Sequence, residues 1–277
     1  MAVAILTDSA AALPADLSAA RGIGVVPMWL MIDGESVREG DVPLEDLLAH
    51  EHVTTSGPTP GEFEAAVKEA QRTTDDGVLV CTLASTMSST HEAAVLGAQA
   101  AGGDVAVVDT TTAAGAQALV VLAASDAAAR GASLAEVEQA AREAIAQTHL
   151  VAMVPSLDYL VRSGRVPNIA GWAGKRLGLA PLFEFRDGGA HALRPARGTV
   201  AALDRIVARF RKDRVDGARV HVAALHAQAE AEAQELLDAV RQEVEPATAF
   251  LGTFGTVMLV HTGPGLVGLA WRWEATT

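Results

Sequence analysis

The sequence predicts an α/β protein of two domains, a doubly wound parallel-sheet N-terminal domain and a C-terminal α/β domain with a mixed sheet. Two observations set the class. Through the first half, apolar runs rich in Val, Ile and Leu alternate with helical patterns, the rhythm of parallel strands joined by crossover helices on both faces. After "LVAMVPS" the texture changes, and "PLFEFRDGGAHALRPA" reads as two short strands around an Asp-Gly-Gly turn, a hairpin rather than a crossover. A third observation is size: 277 residues, half of them hydrophobic, suffice for a large buried core. We place the N-terminal domain at 1–152 and the C-terminal domain at 153–277.

In chain order, "AVAIL" is the first strand, "PADLSAARG" a helix, "VVPMWLMI" a strand, 62–72 a helix and "GVLVCTL" a buried strand. A helix after Ser89 leads to the strand "DVAVVD". Two long alanine-rich helices follow at 113–129 and 134–148, the second opened by Ser133 as a cap with Glu136 three residues on. Beyond the hairpin come a helix at 200–211, the strand "RVHVAAL", a helix through "AEAEAQELLDAVRQEV" and terminal strands near "VMLVHT" and "LVGLAWRW". No internal repeat or low-complexity linker interrupts this order.

Composition narrows function. No apolar run is long enough for a membrane span, and Met1 leads straight into a strand-like segment rather than a charged leader, so a cytoplasmic protein with no integral membrane segment is expected. The single cysteine, Cys81, lies inside an apolar run; a buried, inert thiol is the expectation. A formal charge of −13 argues against a nucleic-acid partner. Segment 151–214 runs against the total, with ten Arg and two Lys against five acids, a local +7. It is either a solvated basic face or a site for an acidic or phosphorylated partner.

In an open parallel sheet the loops at the carboxyl ends of the strands converge on one crevice. Four loops carry hydroxyls here: Thr7-Asp8-Ser9, 53–63, 85–90 and 109–112. Each admits a local reading as a helix N-cap. Together they hold more hydroxyls than capping needs, five in the six positions 85–90 alone, which points to an anion held by hydroxyls and helix N-termini. "HTGPG" is read as a rigid turn presenting His261. Although Gly263, Gly265 and Gly268 match G-x-G-x-x-G, only nine residues remain after Gly268, so no dinucleotide-binding βαβ unit can follow. The sequence lacks the G-x-S-x-G, P-loop and H-E-x-x-H motifs. His50-Glu51-His52 has no third ligand in view, and no metal is expected. Arg165, in "SGRVPN", is either a donor to phosphate or carboxylate or a surface arginine at a helix end.

The ordered motifs "ILTDSAAALP", "VVPMWLMIDG", "TTSGPTPGEF", "LASTMSSTHEAA", "VVDTTTAAG", "LDYLVRSGRV", "LAPLFEF" and "HTGPGLVG" resemble the DegV family over nearly the whole chain. The resemblance implies the fatty-acid-binding subunit of a bacterial fatty acid kinase, a two-domain protein holding a long-chain fatty acid in an interdomain tunnel. It places the acyl carboxylate at Thr55 or Ser56, Ser88 and His261, with Ser89 beside them. It also implies a separate fatty acid kinase subunit that brings its own ATP and magnesium and phosphorylates the carboxylate to an acyl phosphate, an entry into phospholipid metabolism. The binding subunit itself needs no cofactor and is not an enzyme. Arg165 and Arg197 match the positions that engage the kinase or the phosphate. Three departures stand out: Gly57 replaces the usual Gln, His91 an aromatic, and Ser89 a Gly, which would either strain a left-handed backbone or add one more donor to the anion. The rival reading is a serine hydrolase with Ser88 as nucleophile and His261 as base. A sugar-phosphate or nucleotide module would need a wide, wet crevice.

Overall fold

The structure, a computed structural model, describes residues 2–43, 47, 50, 53–166 and 178–275. Four parallel strands, β1 (Ala4–Asp8), β2 (Gly24–Val26), β6 (Val78–Thr82) and β7 (Val105–Asp109), form one sheet in the order β2-β1-β6-β7. Six strands form a mixed sheet in the order β10-β9-β8-β13-β11-β12: β8 (Thr148–Met153), β9 (Leu179–Arg186), β10 (Gly189–Arg197), β11 (Arg219–His226), β12 (Thr248–Thr253) and β13 (Val267–Glu274). Only β11 and β12 pair in parallel there. The α/β class, the parallel first sheet, the mixed second sheet and the β9–β10 hairpin are as the sequence predicts. β8 pairs within the mixed sheet from Thr148 onward.

Between the sheets runs α4 (Ala114–Ala129), apolar on every side and buried at 14 of its 16 positions, as expected of a helix with no solvent face. It packs on β1 and β6 of the first sheet and on β8, β11 and β13 of the second. With α5 (Leu134–Gln147) it forms the middle of five layers. Strand alternation shows the sandwich directly. Leu6, Val78 and Val80 pack against Phe63 and Val67 of α2 (Pro60–Gln71) and Ala93 and Ala94 of α3 (Thr90–Ala101), whereas Ile5, Leu79 and Cys81 face the α4 layer. In the second sheet Ala223 and Leu225 join the α4 layer, and Val220, Val222 and Ala224 pack with α7 (Gly198–Lys212) and α8 (Glu230–Glu243). No described helix is long and apolar enough to cross a membrane.

The structure corrects three element assignments. "VVPMWLMI" is two strands: β2 stops at Val26, and β3 (Trp29–Ile32) starts a separate antiparallel sheet, β4-β3-β5, with β4 (Glu35–Arg38) and β5 (Val53–Ser56). Pro27 between them has no N–H to continue the ladder. The "VTTS" segment, read as loop, is β5 itself. "VMLVHT", read as a strand, lies in the helix α9 (Thr256–Thr262), and the strand beside β11 is β12 instead. Its β-branched residues are overridden by burial of Val257 and Leu259 and by a C-cap at Gly263, φ 71°, whose N–H bonds Leu259 O at 2.8 Å.

The α4 layer tolerates no extra atoms at its start. A Cβ on Gly115 would lie 2.6 Å from Leu225 Cδ2 and 2.7 Å from Ala223 Cβ. Gly115→Ala is therefore expected to destabilise by roughly 1–3 kcal/mol through overpacking, despite the helix-propensity gain of up to ~1 kcal/mol. A lower urea midpoint with unchanged slope is the expected result; a higher midpoint would refute this close packing.

Candidate ligand site at the sheet ends

The hydroxyl loops divide into structural caps and a ligand-facing set. Thr7 and Asp8 are fully buried and spent internally. Thr7 Oγ1 donates to Cys81 O at 2.8 Å and accepts from Gln117 Nε2 at 3.0 Å. Asp8 accepts from Ala10 N at 3.0 Å and Leu83 N at 2.8 Å. Its burial outweighs these bonds and raises its pKa to about 6, with Glu39 adding to the rise. Thr110 Oγ1 donates to Thr82 O at 2.7 Å. Thr86 leaves the 85–90 loop to donate to Gly188 O at the tip of the β9–β10 hairpin. None of Thr7, Asp8 or residues 109–112 lines the site cavity, so two of the four loops, not all four, supply its hydroxyls.

That cavity, about 80 Å³, is lined by Thr55, Ser56, Gly57, Ser88, Arg165, His261 and Thr262 together with Met28, Leu83, Met87, Ala113, Leu160, Ser163, Val166, Val257 and Met258. Residues from both halves of the chain thus meet around one small, largely apolar space. Thr55, on β5, places Oγ1 2.7 Å from His261 Nε2, on the last turn of α9. His261 Nδ1 is buried with no partner among the described residues. Burial, with a smaller push from the Arg165 charge, lowers the His261 pKa to about 4, so the imidazole is neutral at pH 7. Ser88 Oγ lies 2.8 Å from Thr90 Oγ1 and accepts from Thr90 N at 3.3 Å. Gly57 allows β5 to approach this pair, since a Cβ there would stand 2.5 Å from Thr90 Oγ1.

Other candidates fall outside this cluster. Ser89 is exposed at the start of α3, does not line the cavity and has φ −72°, so no left-handed strain attends its replacement of Gly. Arg197 is exposed at the end of β10 and does not line the cavity. His50 pairs with Asp33 at 2.9 Å, while Glu51 and His52 lie outside the described residues. The hydrolase arrangement is not assembled among the described residues: Ser88 bonds Thr90 and not His261, and no carboxylate among them orients His261 Nδ1.

The sequence reading did not find the second space at this site. A wide cleft of about 690 Å³ also borders His261, lined by Arg162, Arg165, Ser163, His50, Thr54, Tyr159, Leu47, Val53, Leu259 and Val260. Arg162 stacks over the Tyr159 ring at 4.6 Å from its centroid, on α6 (Asp158–Ser163). His261, Ser163 and Arg165 belong to both spaces. Only the basic character of 151–214 foreshadowed the cleft.

Comparison with known proteins matches the chain over nearly its whole length. A DegV domain-containing protein of Streptomyces coelicolor is 35% identical over 276 residues, covering 96% of this chain and 97% of that protein. A protein of Thermotoga maritima named fatty acid-binding protein is 30% identical over 278 residues, covering 97% and 96%. Among solved structures, a DegV family protein of Thermus thermophilus described for its fatty acid binding superposes with a TM-score of 0.91 at 28% identity, over 99% of this chain and all of that one. DegV of Bacillus subtilis, a fatty acid binding protein, gives 0.88 at 25% identity over 99% and 100%. Since the sequence also matches the family described as "Uncharacterised protein, DegV family" from residue 2 to residue 274, this chain belongs to the DegV family.

Proposed function

We propose that the protein binds one long-chain fatty acid, its carboxylate at Thr55, Ser88 and His261 and its tail in the adjoining apolar cavity, and presents the head group to a separate kinase subunit. The observation that carries this reading is the shared cavity: hydroxyls and a buried imidazole line the same space as Met28, Leu83, Met87, Leu160, Val257 and Met258. Naming of the Thermotoga and Thermus relatives as fatty acid binders supports the ligand class.

The chemistry follows from the donors. Thr90 N–H and the Thr90 hydroxyl can both serve Ser88 Oγ, which leaves the Ser88 proton to donate to a carboxylate oxygen. A neutral His261 with its proton on Nε2 donates to Thr55 Oγ1 and turns the Thr55 proton toward the ligand; with the proton on Nδ1, the unpartnered nitrogen is itself a donor. Burying a carboxylate is unfavourable unless donors replace water. Neutral donors do this without the bidentate grip of an arginine pair, which leaves the oxygens competent to accept a phosphoryl group. Arg162 and Arg165 face the wide cleft beyond His261, where the charge of an incoming phosphate donor would be met. ATP and magnesium would arrive with the kinase.

The apolar cavity, about 80 Å³, is smaller than the ~300 Å³ of a typical small-molecule pocket. Seating a tail therefore requires its lining to shift. Three of the chain's six methionines, Met28, Met87 and Met258, are in that lining, and unbranched methionines repack most readily. Each buried CH₂ then contributes about 0.8 kcal/mol.

Denatured protein from gentle purification is expected to release a long-chain fatty acid in mass spectrometry; protein free of lipid from several hosts that also ignores added fatty acid would overturn the reading. Ser88→Ala should weaken binding about ten- to a hundredfold, one hydrogen bond to a charged group being worth ~1.5–3 kcal/mol. Unchanged affinity would take Ser88 out of the site.

A pH dependence follows from His261. Its folded pKa of about 4 lies below the 6.5 of a free imidazole, so between these values the unfolded chain binds the extra proton. The stability difference between lipid-stripped wild type and His261→Asn should be constant above pH 6.5 and shift against wild type as pH falls toward 4. Taking a difference removes Asp8, whose raised pKa acts with the opposite sign in the same range. Urea titrations across this range that gave a constant difference would show a solvated ring.

A further inference from the structure

We propose that Glu39 is a positioning residue for the head-group site, holding α9 in the place from which His261 reaches Thr55. This rests on the reading of Thr55 and His261 as carboxylate ligands.

α9 has seven residues, and its N-cap, Gly255, contributes no side-chain cap. The missing acceptor comes from far away in sequence: Glu39 Oε1 takes the Val257 N–H at 3.0 Å across 218 positions. The other carboxylate oxygen, Oε2, accepts from Ser9 Oγ, which in turn accepts from Met28 N at 3.0 Å. Glu39 N donates to Met28 O at 3.0 Å, just beyond the end of β4. One half-buried carboxylate thus joins the end of β1, the start of β3 and the first turn of α9. Gly255 fits the same arrangement, because a Cβ there would overlap Glu39 Oε1.

The other end of α9 closes on the same small sheet, through His261 Nε2 and Thr55 Oγ1 of β5 at 2.7 Å. Glu39 follows β4 and Thr55 lies on β5, and both strands pair with β3. The helix is therefore pinned at both termini to one three-stranded sheet. Its first pin sets its axial position; its second is the ligand contact. Releasing Glu39 leaves a seven-residue helix, too short to be stable alone, held by its packing on α6 and β5 and by the His261 end, with no side-chain acceptor for its first turn among the described residues. Arg165 is the charge that bears on the ring at that end.

The test uses lipid-stripped full-length protein and reads the His261 imidazole by NMR. In Glu39→Ala the protonation midpoint should rise from about 4 toward that of a free imidazole, and fatty acid affinity should fall about tenfold, one capping interaction's worth. Glu39→Gln, which keeps an oxygen for Val257 N, should stay near wild type. Gly255→Ala should reproduce Glu39→Ala with the carboxylate still present, and decides the matter if Glu39→Ala fails to fold. Ser133→Ala, removing the cap of α5, should lower the melting temperature and leave His261 unmoved. If Glu39→Ala and Gly255→Ala lower the melting temperature while the His261 midpoint stays put, Glu39 is a stabilising cap and the proposal is wrong. Because the NMR readout needs no ligand, it decides the role of Glu39 even if the wild type binds no fatty acid.

Discussion

Burial of α4 between two sheets is the constraint on which the rest of the structure depends. A helix with no polar face must be covered on all sides, and here one sheet covers each side. The two halves of the chain consequently share a single apolar cluster running from Val3 to Ala270. Close packing at Gly115, against Ala223 and Leu225, fixes the distance between the layers. What would otherwise be an adjustable gap between two domains becomes a defined one. Loop 85–90 from the first sheet and α9 from the second half then face each other at a fixed separation, with β5 between them.

That placement permits contacts of very long sequence separation to be short in space. Thr55 and His261 are 206 positions apart and in hydrogen-bond contact; Glu39 and Val257 are 218 apart. Both depend on the small sheet β4-β3-β5, which belongs to neither large sheet. Its strands are short, and an isolated three-stranded sheet of this size has little stability of its own. Docking on α9 offsets that weakness, and α9, equally short, is held in return.

Much of this was legible in the sequence. The parallel-sheet rhythm, the hairpin and the Ser133 cap are local patterns, and the structure carries them where the pattern put them. The resemblance grouped Thr55, Ser56, Ser88, Ser89 and His261; all but Ser89 line one cavity, together with Arg165, which the resemblance had assigned to the kinase or the phosphate. What the sequence hid is tertiary. The two Thr and two Val in "TVMLVHT" favour a strand by intrinsic preference, and a remote glutamate, a buried face and Gly263 make it a helix. Hydroxyl counting overstated the site because Thr7 and Thr110 bond backbone carbonyls of β6, at Cys81 and Thr82, a use that composition cannot distinguish from ligand binding. Glu39 gave no signal at all, since an acid in a polar turn looks the same whether or not it reaches a helix start.

The charges divide in a way that matches the two spaces at His261. The small cavity is walled by neutral groups apart from Arg165, and the ring itself is uncharged at pH 7 because burial opposes its protonation and Arg165 opposes it further. The wide cleft carries Arg162 as well as Arg165. A carboxylate at His261 would thus meet apolar side chains and neutral donors in the small cavity, with Arg165 shared between the two spaces and Arg162 in the wide cleft alone. A cationic pocket placed directly on the head group would bind the anion more tightly, but it would bind every small anion as well. With a single guanidinium, Arg165, at the small cavity, the affinity of the proposed ligand would come mainly from buried hydrocarbon, at about 0.8 kcal/mol per CH₂, and small carboxylates without a tail would gain little. On the proposed reading, selection for a lipid acid over soluble anions would then rest on the tail rather than on charge at the head group.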